Sequence, residues 1–445
     1  MKENASAHSE VVFDDSNLIF KKNPLQYVYS LSLQHPESNM LRLRFGFKYV
    51  YILINPDLVQ ELLVTKERYF KKTSGLKTFG DLLGEGLLTS EGKTHIRQRR
   101  WMQPSFHPQK MEAFVDSMTI QTAQFIEDWK DGESRIITDD MMELTLKLIM
   151  GTMFGSLVPK EKMQEIYQIL MDITKYTTQW KIFMKTPLWL RKRLYRKYYQ
   201  AIQELDSVLF ELIDQLRERT NTPTTILTML METKDEVDGS QMSNQEIRDQ
   251  IMGIFLASQE TTSFSLSWMW YALSQHPEVE EKLVKEWEQV LAGRELSLKD
   301  FVHLSYTQAV VCESLRLHAT HFGREVKESV ELGGYTVSPG DSVIVSQYVL
   351  HRNPFYFDQP ESFKPERFMG DLLKRIPKYQ YIPFGAGQRI CLGKHLTLLL
   401  STIVLQVIGS KYSLQLKEGH PDIQMQPIIT LKPSHKIEMI TTHRR

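Results

Sequence analysis

Cysteine is scarce: Cys312 and Cys391 are the only two in 445 residues. Two thiols cannot build a disulfide framework or a four-thiolate zinc site. Long apolar runs are missing too. No stretch reaches the ~18 apolar residues that span a bilayer, and the best candidate, residues 251–273, is broken by Gln259 and Glu260. No apolar run follows Lys2, so the start does not read as a secretory signal. Charge of one sign is not in excess: Lys+Arg and Asp+Glu are 54 each, which leaves nothing global to attract nucleic acid. Internal repeats, low-complexity tracts and Gly/Pro/Ser linkers are absent, so one continuous domain over 1–445 is expected, monomeric and cytoplasmic. Hydrophobic residues at 42% against 24% charged are enough for a folded core.

What is present is mostly helical. "MLRLRF" and "YVYILIN" read as a hairpin, being rich in β-branched and aromatic residues around a Gly-containing turn. From about Pro56 to His318, apolar residues recur at i, i+3 and i+4. One helix is unusually long. Ser243 and Glu246 form a capping-box start, the pattern runs to Gln275, and Pro277 stops it. That is roughly 45–50 Å at 1.5 Å per residue. After His318, "GGYTVSPGDSVIVSQYVL" reads as strand, Pro-Gly turn, strand, and the tail as short strands. The expected class is mainly α with small β-sheets.

The two cysteines read differently. Cys312 lies in the helical run "QAVVCESLRL" and reads as a small buried hydrophobe. Cys391 lies in "FGAGQRICLG", Phe384 to Gly393. Gly385, Gly387 and Gly393 strip side chains from its surroundings, which permits tight backbone paths and the approach of a flat ligand. Arg389 places a permanent cation nearby, which favours thiolate and can pair with a ligand carboxylate. A helix begins behind it, so free N–H groups point back towards the sulfur. Three rivals are weaker. "GAGQRI" has Ile390 where a dinucleotide loop needs its third glycine, zinc lacks further S or N ligands, and nothing local orients His395 for nucleophilic chemistry. The pattern describes a thiolate held as a ligand.

Phe384, Gly387, Arg389, Cys391 and Gly393 match F-x-x-G-x-R-x-C-x-G, and this loop resembles the haem-binding loop of the cytochrome P450 superfamily. The resemblance runs from the early hairpin to the tail strands. It implies the P450 fold, haem b (iron protoporphyrin IX) between the long helix and the cysteine loop, and Cys391 as iron ligand. "ESLR" supplies Glu313 and Arg316, and "FKPERF" supplies Arg367; by resemblance the three form a buried ion-pair cluster that holds the cysteine loop. His95 and Arg99, in "LLTSEGKTHIRQRR", and Arg324 resemble contacts to the haem propionates, with His95 where many members have Trp. "ASQETT" matches [AG]-G-x-[DE]-T-[ST] at Ala257, Glu260, Thr261 and Thr262. There Thr261 would hydrogen-bond dioxygen or its water and Glu260 would feed protons. Ser258 stands in place of the usual glycine, and its side chain would narrow the oxygen groove or add a hydroxyl to the relay.

The same resemblance puts Phe79, Leu82 and Leu83 of the loop before His95 at the substrate pocket, with Leu87, Phe255, Ala257, residues 319–322 (Ala319 and Phe322 among them), Ile428 and Ile429. An apolar pocket suits a lipophilic molecule such as a fatty acid or terpenoid. No flavin or nicotinamide domain is evident, so electrons are expected from a ferredoxin or flavodoxin with its NAD(P)H reductase. Arg97, Arg100, Lys378 and Lys394 would attract such an acidic donor. Lys181–Lys197 carries seven cations and no acid among aromatics, as a weak membrane-surface contact would require. The leading expectation is an O2-dependent monooxygenase. The alternatives are peroxide-driven or isomerase/dehydratase chemistry on the same haem thiolate, and a non-catalytic haem sensor.

Overall fold

The structure, a computed structural model, describes residues 11–14, 23–45, 48–73, 75, 79–177, 186–219, 222–319, 321–427 and 430–444. The chain forms two compact units. The first comprises Met1–Thr73, Ile126–Met141 and Thr261–Arg445; the second comprises Ser74–Phe125 and Met142–Glu260.

All described strands fall in the first unit. The expected hairpin is β2 (Met40–Phe45) against β3 (Lys48–Leu53), with Met40 opposite Leu53. It lies in a six-stranded sheet of order β1-β2-β3-β9-β6-β4, completed by β1 (Val11–Asp14), β4 (Phe70–Lys72), β6 (Phe322–Val326) and β9 (Ser342–Val345). Alternation along β3 serves two cores, because successive side chains leave opposite faces. Tyr51 and Leu53 join Leu62, Leu63, Val343, Val345 and Ile382 on one face. Ile52 joins Leu41, Leu43 and Tyr348 on the other, under helix α1 (Pro24–Gln34).

Two expectations change here. "TVSPGDSVIV" does not close a hairpin: β8 (Tyr335–Val337) pairs back with β7 (Val330–Leu332), while β9 enters the large sheet between β3 and β6. Gln347–Leu350, read as strand, is a helical turn capped by the Ser346 hydroxyl. The tail forms short strands as expected, β10 (Tyr412–Leu416), β11 (Met425–Pro427), β12 (Leu431–Pro433) and β13 (Glu438–His443). A further short strand, β5 (Ser134–Ile136), pairs with β13.

The second unit is helical. It holds α2 (Gly92–Met102), α3 (Val115–Phe125), most of α4 (Ile137–Phe154), α5 (Lys160–Thr177) and α6 (Arg196–Arg217). Along α6, Ala201, Ile202, Leu205, Val208, Leu209, Leu212, Ile213 and Leu216 are buried at helical spacing, so one stripe makes the core contact and the rest is solvated.

The long helix, α7, runs Asn244–Ser274. Its start is the expected capping box: Ser243 N–H donates to Glu246 Oε2 at 2.9 Å, and Glu246 N–H donates to Ser243 Oγ at 3.2 Å. Further along, the buried Trp268 Nε1–H donates to the Leu431 carbonyl at 2.7 Å and so fixes the tail strand. The helices α8 (Pro277–Leu291), α9 (Ser305–Leu317) and α10 (Lys394–Lys411) complete the first unit. Among the described residues no helix is long and apolar enough to cross a membrane.

Candidate active site

The cysteine loop is a chain of short backbone bonds leading into α10. Gly385 N–H donates to the Ile382 carbonyl at 2.9 Å, a 3-10 turn spans Gly387–Arg389, and Cys391 N–H donates to the Phe384 carbonyl at 3.0 Å. Gly385 and Gly387 both have φ of +70°, where a side chain is strained. Gly387 is constrained twice, because a Cβ there would overlap the carbonyl oxygen of Leu63, in the π-helical turn Glu61–Thr65. Gly387→Ala is therefore expected to cost about 1–3 kcal/mol from φ alone, with more for displacing that carbonyl. A lowered urea midpoint and a lower haem-to-protein ratio on purification would show it; wild-type values for both would contradict this account of the loop.

Cys391 is exposed and neither cysteine is in a disulfide. A Cβ on Gly393 would sit 3.9 Å from the Cys391 sulfur, an ordinary van der Waals distance, so this glycine lies beside the thiol without being required by space. Among the described residues no group of three or more His, Cys, Asp or Glu could hold a metal, which removes the zinc reading. Cys312 is no competitor, since burial pushes its thiol pKa up. An exposed sulfur on a loop turned by Gly385 and Gly387 fits a group bound through one thiolate. Arg389, expected to favour the thiolate and to pair with a ligand carboxylate, has a partner within the chain: its Nε–H donates to Glu67 Oε1 at 2.9 Å. The two positions are 322 apart, and no local signal marks Glu67 as the partner.

Glu313, Arg316 and Arg367 come together as one cluster. Glu313 and Arg316 side chains are fully buried, and Arg367 is 9% exposed. The α9 spacing of three lets Arg316 fork onto both Glu313 oxygens, at 2.7 and 2.9 Å. Arg367 Nε–H adds a bond to Glu313 Oε1 at 3.0 Å and the Lys364 N–H another at 2.8 Å. The remaining Arg316 donors reach the carbonyls of His351, Pro360 and Ser362. Every strong polar group of the pair is thus satisfied, the condition for burying charge.

On α7 most side chains around the middle are buried, Phe255, Gln259, Thr262 and Ser263 among them. Ala257 is exposed, and Ile254, Ser258 and Thr261 are half-buried. Those four positions follow the i, i+3, i+4, i+7 rule and form one open strip. Glu260, beside it, is half-buried. The role of Ser258 also becomes specific: its hydroxyl donates to the Ile254 carbonyl at 2.6 Å, one turn back along the helix. Such a back-bond along a helix is common for serine.

In the second unit, α2 carries His95, buried, and Arg99, half-buried, four residues apart on one face. Arg97 and Arg100, expected to attract a donor protein, pair within the chain instead, with Glu246 at 3.0 Å and Asp235 at 2.7 Å. Phe79, Leu82, Leu83 and Phe255 are buried. Sequence reasoning missed what holds the loop that carries them. Arg248, 3% exposed, donates to Leu82 carbonyl at 2.7 Å, to Asp206 Oδ1 of α6 at 2.7 Å and to Asp249 Oδ1 at 3.1 Å. Asp249 in turn accepts from the Glu85 N–H at 2.9 Å, and a Cβ on Gly84 (φ +54°) would overlap its carboxylate. Adjacent opposite charges in the apolar run of α7 were the available signal. In the first unit, Arg324 on β6 donates to the Gly323 carbonyl at 2.9 Å, Ala319 is buried and Phe322 half-buried. Ile428, Ile429, Lys181 and Lys185 lie outside the described residues.

Comparison with known proteins agrees with this arrangement. The family model "Cytochrome P450" matches residues 17–440. Cyclooctatin synthase of Streptomyces melanosporofaciens is 31% identical over 89% of this chain and 87% of its own length. Pentalenene oxygenase of Streptomyces avermitilis is 25% identical over 92% of this chain and 90% of its own length. The crystal structure of the cytochrome P450DA heme domain has the same fold, with a TM-score of 0.84 at 24% identity over 95% of this chain and 93% of that one. The cofactor is haem, and the reaction needs O2, a lipophilic substrate and a source of electrons. The chain belongs to the cytochrome P450 family of haem-thiolate monooxygenases.

Proposed function

We propose that the protein hydroxylates a terpenoid, with Cys391 as the thiolate ligand of haem iron. The observation that carries the site is the open strip Ile254, Ala257, Ser258 and Thr261 on α7, where small and apolar side chains leave room beside the Thr261 hydroxyl. The substrate class is supported by relatives named cyclooctatin synthase, cyclooctat-9-en-7-ol 5-monooxygenase and pentalenene oxygenase. The family match runs across both compact units, which supports a single catalytic domain.

Bound haem would supply the activation of dioxygen, and a thiolate ligand on its iron would favour O–O cleavage. The chain supplies placement, protons and dryness. Phe384, Gly387 and Gly393 shape the loop that presents the sulfur. His95, Arg99 and Arg324 would each donate to a haem carboxylate, with Arg389 held by Glu67 behind the thiolate. Thr261 Oγ1 would hydrogen-bond dioxygen or water at the reacting centre, Glu260 would deliver protons to it, and Thr262, buried next to it, would stiffen that turn. Thr261→Ala is expected to keep consuming reductant while product per electron pair falls about tenfold or more, the loss expected when a positioned proton path is removed. Peroxide should rise in step, and full coupling in that variant would refute the role.

A separate donor is expected to bring electrons, an acidic ferredoxin or flavodoxin with its NAD(P)H reductase, in the cytoplasm and to a monomer. Lys378, exposed, and Lys394, at the start of α10, supply the cations on either side of the loop in sequence. Trp189, 80% exposed, and Leu194, 61% exposed, stand beside exposed Lys192 and Arg193, which supports a weak contact with an anionic membrane surface. The substrate reading is tested by Soret titration of the ferric protein with cyclic terpenes, fatty acids and steroids. A high-spin shift with terpenes alone is the expected result. A shift with fatty acids or steroids but not terpenes would overturn it.

A further inference from the structure

We propose that His351 is a positioning residue for the thiolate loop: its neutral imidazole joins the buried Glu313–Arg316–Arg367 cluster to the backbone that leads into Cys391. The inference rests on Cys391 as the haem ligand.

The ring is fully buried and spans two backbone groups. Its Nε2 accepts from the Ile382 N–H at 2.9 Å. Its Nδ1 faces the Arg316 carbonyl at 3.3 Å. An acceptor at Nε2 and a carbonyl opposite Nδ1 call for one proton, on Nδ1, and so for a single tautomer. The link to Arg316 is reciprocal, because the Arg316 guanidinium donates to the His351 carbonyl at 2.7 Å. The ion cluster and the imidazole therefore hold each other at both ends of the α9 terminus.

From Ile382 the connection continues along the chain. The Ile382 carbonyl accepts from the Gly385 N–H, and the Phe384 carbonyl accepts from the Cys391 N–H. Two buried amides fasten the same segment from the side, Gln347 to the Ile382 carbonyl and Gln380 to the Leu350 carbonyl. Tyr381, between them, packs its ring 5.1 Å from the His351 ring and donates from its hydroxyl to the Cys312 carbonyl at 2.8 Å. Tyr381 thus also ties this segment to α9 through its own side chain, while His351 bonds the main chain on both sides, at Ile382 and at Arg316.

The charges that face the ring agree with a neutral state. Burial first, then the Arg316 and Arg352 guanidinium groups, push the His351 pKa down to about 3. An imidazolium would turn an N–H towards the Ile382 N–H and break the link.

His351→Phe keeps a ring against Tyr381 but removes the acceptor, whereas His351→Gln can return one. Amide hydrogen exchange across residues 380–391, with β2 and β3 as internal reference, is the first readout. Exchange at Ile382 and Cys391 should rise at least tenfold in His351→Phe, stay unchanged in the reference strands, and return towards wild type in His351→Gln. The second readout is the ferrous–CO spectrum, where part of the thiolate band should pass to the thiol band in the Phe variant and come back with Gln. Wild-type exchange and spectrum in His351→Phe, or equal loosening of loop and reference strands, overturns the proposal. If the Phe variant does not accumulate, 15N-histidine NMR of the wild-type ferrous–CO protein decides. A proton on Nδ1 alone supports the link, while a proton on Nε2 at neutral pH overturns it. The exchange arm does not read iron, so a failed haem reading would show separately, as a thiolate band surviving in Cys391→Ala.

Discussion

Cys391→Ala is expected to lose the thiolate signature completely: no thiolate band in the ferrous–CO spectrum and no monooxygenase turnover. The loss should be complete because no other group can replace the sulfur. Cys312 is half-buried, its thiol pushed up in pKa by desolvation, so the thiolate form is disfavoured where it stands. His395, one helical turn beyond Cys391, is exposed on α10 and could at most give a nitrogen-ligated species with a different band. The variant's fold should survive, since the residue is exposed and its backbone N–H bond to the Phe384 carbonyl does not involve the side chain. Near-wild-type far-UV circular dichroism with an absent thiolate band is the expected pair of results. A retained thiolate band would remove Cys391 from the site.

Glu313→Gln should be the most destabilising single change in the first unit. The carboxylate accepts four donors within 3.0 Å, and both it and Arg316 are fully buried. A glutamine amide presents an NH2 to donors that need an acceptor, and it leaves the Arg316 charge unbalanced away from water. Breaking a buried pair in this way costs about 3–5 kcal/mol, out of a total stability of about 5–15 kcal/mol. The urea midpoint should fall steeply, with little haem retained. A midpoint within the error of wild type would mean that the cluster is solvated in solution. Arg316→Lys is expected to lose nearly as much, because one ammonium cannot fork onto two oxygens and still reach three carbonyls.

Local chemistry was the legible part of this molecule. Ser243 and Glu246 marked the start of α7 within a residue, since both partners of a capping box lie within one turn. Pro277 likewise marked its end, and the β-branched and aromatic run "YVYILIN" marked β3. The glycine pattern around Cys391 and the Glu313–Arg316 spacing were readable for the same reason, as each depends on neighbours in sequence. What escaped was pairing over distance. Nothing near Arg389 names Glu67, and nothing near Leu82 names Arg248. The short strands β4, β5 and β8 are three residues each, too few to show a period, and the choice of β7 over β9 as partner for β8 is made by packing. Arg97 and Arg100 show the converse error. Read as free cations, they are neutralised by Glu246 and Asp235, which sequence proximity does not reveal.

The Arg248 guanidinium bears on motion as well as on stability. One buried side chain fastens the Leu82 backbone, α6 through Asp206, and its own helix through Asp249. The three segments share one buried cation, so loosening any of them leaves part of that charge without a partner away from water, which raises the cost of opening. A change at Asp206 of α6 therefore reaches the Leu82 backbone without touching it, because both lean on the same guanidinium.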